Sequence, residues 1–231
     1  MPICFGALVT KALNAGHGRF VSFEGGEGAG KSTQVRLLAS ALREVGIRVT
    51  VTREPGGSPG AEDIRGLLVT GEPGRWEPVS EALLLYAARR DHWVRLIEPE
   101  LKRGHWVITD RFTDSTLVYQ GVGRGVERAW LDELHRLVLD DVAPDLSLLL
   151  DLPAEIGLAR TRTRDQASAT DETRFERMTL DFHRSLRRGF AGLAAGDPVR
   201  IVTLDASGEV DEVAKAVLDT VRTKLSKDLP G

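Results

Sequence analysis

Short runs of apolar residues alternate along the chain with longer segments in which apolar residues recur at helical spacing. Near-continuous apolar runs are typical of strands in a parallel sheet that is covered on both faces. Five such runs predict strands at residues 19–24, 47–52, 106–109, 146–150 and 199–204. Helical spacing predicts helices at about residues 31–45, 60–70, 78–98, 126–140, 153–160, 172–195 and 208–226.

This order of elements predicts an α/β fold in which helices flank a doubly wound, five-stranded parallel sheet. In such sheets ligands gather at the carboxyl ends of the strands. No linker separates two cores, so residues 19–231 are predicted to form a single domain. Residues 1–18 do not continue the pattern and are predicted to be a flexible tail.

Composition narrows the possible partners. The chain has 231 residues and is 42% hydrophobic, yet no run approaches the ~20 apolar residues that a membrane span needs. Its net charge of −3 gives no general attraction to a nucleic-acid backbone. Cys4 is the only cysteine, which excludes an intrachain disulfide or a cysteine-based zinc site and suits a reducing, cytoplasmic location.

Residues 25–32 fit the G-x-x-x-x-G-K-[ST] pattern of a phosphate-binding loop and predict a P-loop NTPase fold. The glycines allow several backbone N–H groups to converge on one anion. Lys31 adds positive charge, and Ser32 offers a hydroxyl to Mg²⁺ where a helix begins. A glycine-rich turn without a ligand is the alternative. The residues predicted to hold the nucleotide are Gly25, Gly26, Glu27, Gly28, Ala29, Gly30, Lys31, Ser32 and Thr33.

Charged residues follow other predicted strands at the same edge of the sheet. Asp110 ends the third strand, where an aspartate beside a phosphate-binding loop commonly acts through Mg²⁺ or its water shell. Arg111 would then reach a phosphoryl oxygen with its planar guanidinium. A plain ion pair at the strand end is the alternative. The segment at residues 54–57 is predicted to be a turn and is compatible with a cis peptide bond before Pro55.

Three arginines near a polar, small-residue segment suggest a mobile lid at about residues 160–174. On one helix Arg160 and Arg164 share a face, whereas Arg162 points nearly the opposite way. All three therefore converge on one ligand only if the chain leaves the helix there. Such a lid would supply charge and exclude water during phosphoryl transfer. A solvated basic helix end is the alternative.

Four further residues could surround a flat ring. Leu85 and Arg89 share a helix face, and Thr116 and Tyr119 are three positions apart on another segment. They offer an aliphatic wall, a cationic donor, a hydroxyl and an aromatic edge. From the pattern alone Leu85 is as well explained as a core residue.

The ordered motifs resemble those of the thymidylate kinase family, whose members phosphorylate dTMP to dTDP with ATP and Mg²⁺ in dTTP biosynthesis. The resemblance extends from about Arg19 to Leu225 and is far more specific than the phosphate-binding loop alone. The matching segments are residues 23–25, 27–33, 52–57, 86–89, 110–112, 114–116, 119–121, 144–146 and 174–176.

The resemblance implies a role for each matching residue. Glu27 would lie near the sugar 3′-hydroxyl and the metal, and the choice between these contacts stays open. Tyr119 would occupy the place of a 2′-hydroxyl, and Ala206 would touch adenine through its backbone. The implied catalytic residues are Lys31, Asp110, Arg111, Arg160 and Arg164. The implied metal site comprises Ser32, Glu27 and Glu176. The implied dTMP site comprises Glu27, Arg53, Pro55, Leu85, Arg89, Arg111, Ser115, Thr116, Tyr119, Gln120 and Phe175.

One position assigns the subtype, and another departs from the family pattern. The loop has Gly28 where one subtype carries a catalytic arginine, so the chain is similar to the bacterial type with arginines in the lid. Leu85 stands where an aromatic ring usually stacks on thymine, which loses about 0.5–1.5 kcal/mol of stacking. Family resemblance also implies a homodimer.

Two other functions remain as alternatives. Another small-molecule P-loop kinase would share Lys31 and the lid but differ in its acceptor pocket. A GTPase-type switch or a non-catalytic ATP module would bind nucleotide without this transfer. The guanine-reading N-K-x-D motif of GTPases is absent, because Asn14 is the only asparagine in the chain.

Overall fold

The computed structural model describes residues 18–165 and 174–225, and for residues 162–165 it describes the backbone alone. The predicted tail at residues 1–18 lies outside these ranges apart from Gly18. Residues 166–173, which form most of the predicted lid, lie outside them as well. The division into a tail and a single domain therefore stays a prediction.

Five parallel strands form one sheet, which confirms the predicted α/β, P-loop NTPase-type fold. The strand order is β2-β3-β1-β4-β5, and Phe23 of β1 pairs with Asp110 of β3 on one side and Leu148 of β4 on the other. The end of β3 therefore lies beside the loop that follows β1. The strands are β1 (Phe20–Glu24), β2 (Val49–Arg53), β3 (Trp106–Asp110), β4 (Leu146–Asp151) and β5 (Ile201–Asp205).

Helices cover both faces of the sheet. Alternate residues of a strand point to opposite faces, so each strand contributes side chains to apolar clusters on both. Val21 and Phe23 of β1 pack in one apolar cluster, whereas Phe20 packs against Phe112 in another, with ring centroids 4.8 Å apart. The α-helices of the described ranges are α1 (Lys31–Glu44), α2 (Pro59–Val69), α3 (Pro78–His92), α4 (Glu98–Lys102), α5 (Thr113–Thr116), α6 (Arg128–Leu139), α7 (Ala154–Asp165), α8 (Leu180–Gly196) and α9 (Val210–Lys224).

Several predicted helix limits were wrong. The helix predicted at 78–98 continues to Lys102 through a π-helical turn at Trp93–Ile97, just before Pro99, which cannot donate a backbone hydrogen bond. The helix predicted from residue 172 begins at Leu180, because the Thr179 side chain caps it by accepting from the Phe182 N–H at 3.2 Å. Short α5 and the π-helical turn at Leu117–Val122 were not predicted.

The helix that carries the lid arginines also differs from its prediction. The helix predicted at 153–160 extends to Asp165, so the lid predicted at 160–174 begins within α7. Arg160, Arg162 and Arg164 therefore all lie on helical backbone. Across both described ranges, no helix is at once long and apolar enough to cross a membrane.

Candidate active site

The loop after β1 curls as its glycines require. Gly25, Gly28 and Gly30 have positive φ angles of 135°, 67° and 88°. A Cβ on Gly28 would lie 2.1 Å from the backbone oxygen of Gly157, so α7 approaches the loop closely at a point where only glycine fits. The loop is therefore held between β1 and α7, with α1 beginning at Lys31.

Lys31 lies inside this curl. Its ammonium donates hydrogen bonds to the backbone oxygens of Gly25 at 3.1 Å and Gly26 at 2.7 Å. Burial and the neighbouring Arg111 lower the pKa of Lys31 to about 8, although nearby carboxylates oppose that shift. A buried ammonium whose described hydrogen bonds go to carbonyl oxygens of the loop is well placed to exchange them for phosphate oxygens.

A hydroxyl and a carboxylate meet next to the loop. Ser32 Oγ donates a 2.6 Å hydrogen bond to Asp110 Oδ2. Mg²⁺ usually keeps several waters and takes one or two protein oxygens together with the substrate phosphates, so these two groups fit it. Within the described residues, no group of three His, Cys, Asp or Glu side chains is arranged as a complete metal site.

Arg111 joins three parts of the cavity. Its Nη1 donates to the Gly25 carbonyl at 2.9 Å, and its Nη2 donates to Glu27 Oε1 at 2.9 Å and to the Tyr119 hydroxyl at 3.0 Å. Tyr119 in turn donates to Glu27 Oε1 at 2.7 Å. Burial raises the pKa of the Glu27 carboxyl, but Arg111 and Lys31 outweigh it and bring that pKa to about 2. Glu27 is therefore ionised and paired with Arg111 rather than with Ser32.

Arg89 forms one wall of the cavity and is only 3% exposed. Its Nε donates to Glu54 Oε2 at 2.6 Å, and its Nη2 donates to Thr116 Oγ1 at 2.9 Å. Its Nη1 is buried and has no hydrogen-bond partner in the described structure. A buried guanidinium with one unused donor group beside a cavity is a candidate ligand contact.

Gln120 offers the complementary group on the same cavity. It is 1% exposed, and its Nε2 donates to Glu81 Oε1 at 2.8 Å. Its Oε1 is buried without a partner among the described residues. Two residues that line the cavity therefore each keep one polar atom without a described partner: a donor on Arg89 and an acceptor on Gln120.

Leu85 is both a core residue and a wall of the cavity, the two roles that the sequence allowed. It packs with Leu68 and Val69 as a core residue, and it also lines the cavity. Its side chain is thus an apolar wall with no aromatic ring.

One cavity of about 560 Å³ brings most of the predicted residues together. Those lining it are Glu27, Gly28, Ala29, Gly30, Lys31, Ser32, Thr33, Arg53, Pro55, Leu85, Arg89, Asp110, Arg111, Ser115, Thr116, Tyr119, Gln120, Arg160, Phe175 and Glu176. Gly25 and Gly26 contact Lys31 from behind the lining. The backbone oxygen of Ala206 accepts from Arg160 at 3.3 Å, and the Arg164 side chain lies outside the described structure.

Sequence reasoning assigned no separate role to two buried acids: Glu54, which lines the cavity, and Glu24, which lies outside its described lining. Glu54, at the cis bond to Pro55, was predicted only as part of a turn, yet it holds both Arg89 and the His92 ring. Glu24 accepts from the Phe112 N–H at 2.8 Å and from Ser115 Oγ at 2.6 Å. Both residues lie in segments that matched the family, residues 23–25 and 52–57, and each ends or follows a strand at the ligand-binding edge.

Comparison with known proteins identifies the family. The family model for thymidylate kinase matches residues 23–217. The chain is 52% identical over 208 residues to a thymidylate kinase of Caulobacter vibrioides, covering 90% of this chain and 98% of that protein. It is 53% identical over 201 residues to one from Dinoroseobacter shibae, covering 87% and 95%.

A solved structure gives the same result. The crystal structure of thymidylate kinase from Ehrlichia chaffeensis superposes with a TM-score of 0.70 at 33% identity, covering 89% of this chain and 99% of that one. Fold, cavity and sequence therefore agree, and the chain belongs to the thymidylate kinase family.

Proposed function

We propose that this chain transfers the γ-phosphoryl group of ATP to dTMP, in line between two bound nucleotides, and so forms dTDP. The observation that carries the acceptor assignment is that two residues lining the cavity each have one buried polar atom without a described partner, Arg89 Nη1 and Gln120 Oε1. Membership of the thymidylate kinase family supports the same reaction.

The wall suits the imide edge of thymine. Its carbonyl oxygens accept hydrogen bonds and its N3–H donates one, which matches the donor of Arg89 and the acceptor of Gln120. Cytosine presents an amino group and an unprotonated N3 on the same edge, so both contacts would be wrong. Because buried polar groups left unpaired are costly, the wall favours thymine and uracil over cytosine.

The donor side holds the triphosphate. Lys31 and the curled loop are placed to bind the outer phosphates, and Ser32 with Asp110 would hold the cation. When bound, Mg²⁺ neutralises charge on the phosphates. The metal roles of Glu27 and Glu176, and the adenine contact of Ala206, belong to this proposal.

The acceptor needs no general base, because a phosphate oxygen is already a competent nucleophile near neutral pH. Catalysis then depends on positioning and charge, which Lys31, Arg111 and the lid arginines Arg160 and Arg164 would supply. Arg53, Pro55, Ser115 and Phe175 would hold the acceptor nucleotide. A homodimer and a cytoplasmic location complete the proposal and rest on family resemblance and cysteine usage.

A panel of acceptors tests this function directly. The purified chain is incubated with ATP and Mg²⁺ plus dTMP, dUMP, dCMP, AMP, GMP or thymidine, and the diphosphate product is measured. We expect dTDP from dTMP, with dUMP as the next best acceptor and little product from the others. Brisk conversion of AMP, GMP or thymidine in place of dTMP would favour another small-molecule kinase. ATP binding without any transfer would favour a non-catalytic ATP module.

A further inference from the structure

Glu81 lies one layer behind the cavity wall, in the first turn of α3, and is fully buried. Its Oε1 accepts the 2.8 Å hydrogen bond from Gln120, and its Oε2 pairs with Arg174 and, at 3.7 Å, with Arg124. The described lining of the cavity includes Gln120 but not Glu81. Glu81 therefore acts on a ligand only through its neighbours.

The chemistry of this contact fixes how Gln120 is turned. In each described contact of the Glu81 carboxylate its oxygens face N–H donors, from Gln120 Nε2 and from the guanidinium groups of Arg174 and Arg124. The amide of Gln120 therefore presents its NH₂ group to Glu81, which leaves Oε1 as the atom without a partner among the described residues. We infer that Glu81 is a positioning residue that makes Gln120 an acceptor and thereby selects bases with an N3–H. This inference rests on the proposed function.

Arg174 links the same carboxylate to the chain segment that follows the lid. Its Nη1 donates to the Leu68 carbonyl at 2.7 Å, and its guanidinium lies 4.8 Å from the centre of the Phe175 ring. A purely structural interpretation of Glu81 is therefore available: it could serve only as the counter-charge of Arg174 and Arg124. That interpretation predicts equal losses for every acceptor, whereas a positioning role predicts a loss that depends on the base.

The test compares two acceptors that differ at this edge. dTMP and 5-methyl-dCMP share the methyl group, sugar and phosphate, but 5-methyl-dCMP has an acceptor at N3 and an amino group at position 4. In Glu81→Gln the new amide turns its oxygen toward the two arginines and its NH₂ toward Gln120. Gln120 then turns over and presents NH₂ to the cavity. The ratio of kcat/KM for dTMP to that for 5-methyl-dCMP is the readout.

We expect this ratio to fall at least about tenfold in Glu81→Gln, mainly through a lower kcat/KM for dTMP. Glu133→Gln is the matched control, because Glu133 is an exposed carboxylate with its own arginine partner, Arg136. Its ratio should stay unchanged. Circular dichroism verifies folding of each variant.

A second variant keeps the inference testable if Glu81→Gln does not fold. Glu81→Leu combined with Arg174→Leu removes both charges of the pair, a replacement that buried ion pairs often tolerate. Gln120 then has no carboxylate to orient it, so the ratio should again fall. A ratio that stays within about threefold of the original in the folded variants, or equal losses for both acceptors, would overturn the inference. No dTDP from the unsubstituted chain would overturn the proposed function itself.

Discussion

The guanidinium of Arg111 lies 2.9 Å from the carboxylate of Glu27, and the two residues come from different strand ends. Glu27 belongs to the phosphate-binding loop after β1, whereas Arg111 directly follows β3. The pair places a fixed positive charge beside Lys31 without leaving that charge unbalanced. A phosphate that enters the cavity thus meets two cations already held in position by backbone and side-chain acceptors.

Arg111→Ala should lower kcat by about 100-fold or more while changing the KM for ATP much less, because its charge is needed most when the phosphoryl group is in transit. Steady-state kinetics with varied ATP and dTMP measures both constants. Arg136→Ala, which removes an exposed arginine of α6, serves as the control. An unchanged kcat would remove Arg111 from the mechanism.

Tyr119→Phe should retain most of the preference for deoxyribose, because the bulk of the ring would fill the place of a 2′-hydroxyl. The lost hydroxyl, which contacts both Arg111 and Glu27, should instead lower kcat by about tenfold, the cost of one hydrogen bond to a charged group. The measurement compares kcat/KM for dTMP and for its ribose counterpart. Loss of sugar discrimination would assign the effect to a hydrogen bond rather than to bulk.

Leu85→Phe should lower the KM for dTMP about 2- to 10-fold, since an aromatic ring restores about 0.5–1.5 kcal/mol of stacking. Leu85 already lines the cavity, so a larger ring has open space on one side. Leu83→Phe, at an exposed position of the same helix, is the control. A higher KM in Leu85→Phe would mean that the ring fills the space that the base requires.

Glu24 should make the fold less stable as the pH rises. Burial and the nearby Asp114 raise its pKa from 4.5 to about 7 in the folded chain. Between these values the folded state holds the proton more tightly than the unfolded state, so the free energy of unfolding falls with increasing pH. Glu24→Gln should remove about 1–3 kcal/mol of that decline.

Urea unfolding at pH 4.5, 5.5 and 7.0 measures this difference between the original chain and Glu24→Gln. Glu44→Gln, which changes an exposed carboxylate at the end of α1, is the control and should leave the pH dependence unaltered. Glu27 has the opposite sign, because its pKa of about 2 means that its contribution is lost only as the pH falls below 4.5. Parallel pH profiles for the original chain and Glu24→Gln would contradict the prediction.

Much of this molecule could be predicted from sequence because the relevant patterns are local. Apolar runs located all five strands, and the spacing of the loop motif alone predicted roles for Lys31 and Ser32, which line the cavity. The limits of helices were less certain, because they depend on single capping contacts such as that of Thr179.

The supporting carboxylates could not be predicted in this way. Glu54 and Glu81 contact Arg89 and Gln120 from 35 and 39 positions away in sequence, so no local spacing reveals the pairing. Their burial depends on how α3 packs against the segment after β3. Sequence patterns thus identify side chains that touch a ligand more readily than those that hold them in place.

The φ angle of Arg111 is 72° and lies in the left-handed region, which disfavours side chains by about 1–3 kcal/mol at such sites. Glycine would relieve this backbone cost, but it would also leave the Glu27 carboxylate without its arginine partner, and the loss of one partner of a largely buried ion pair is strongly destabilising. Arg111→Gly should therefore melt earlier as well as turn over slowly, so the left-handed backbone is tolerated because it carries the guanidinium into the cavity.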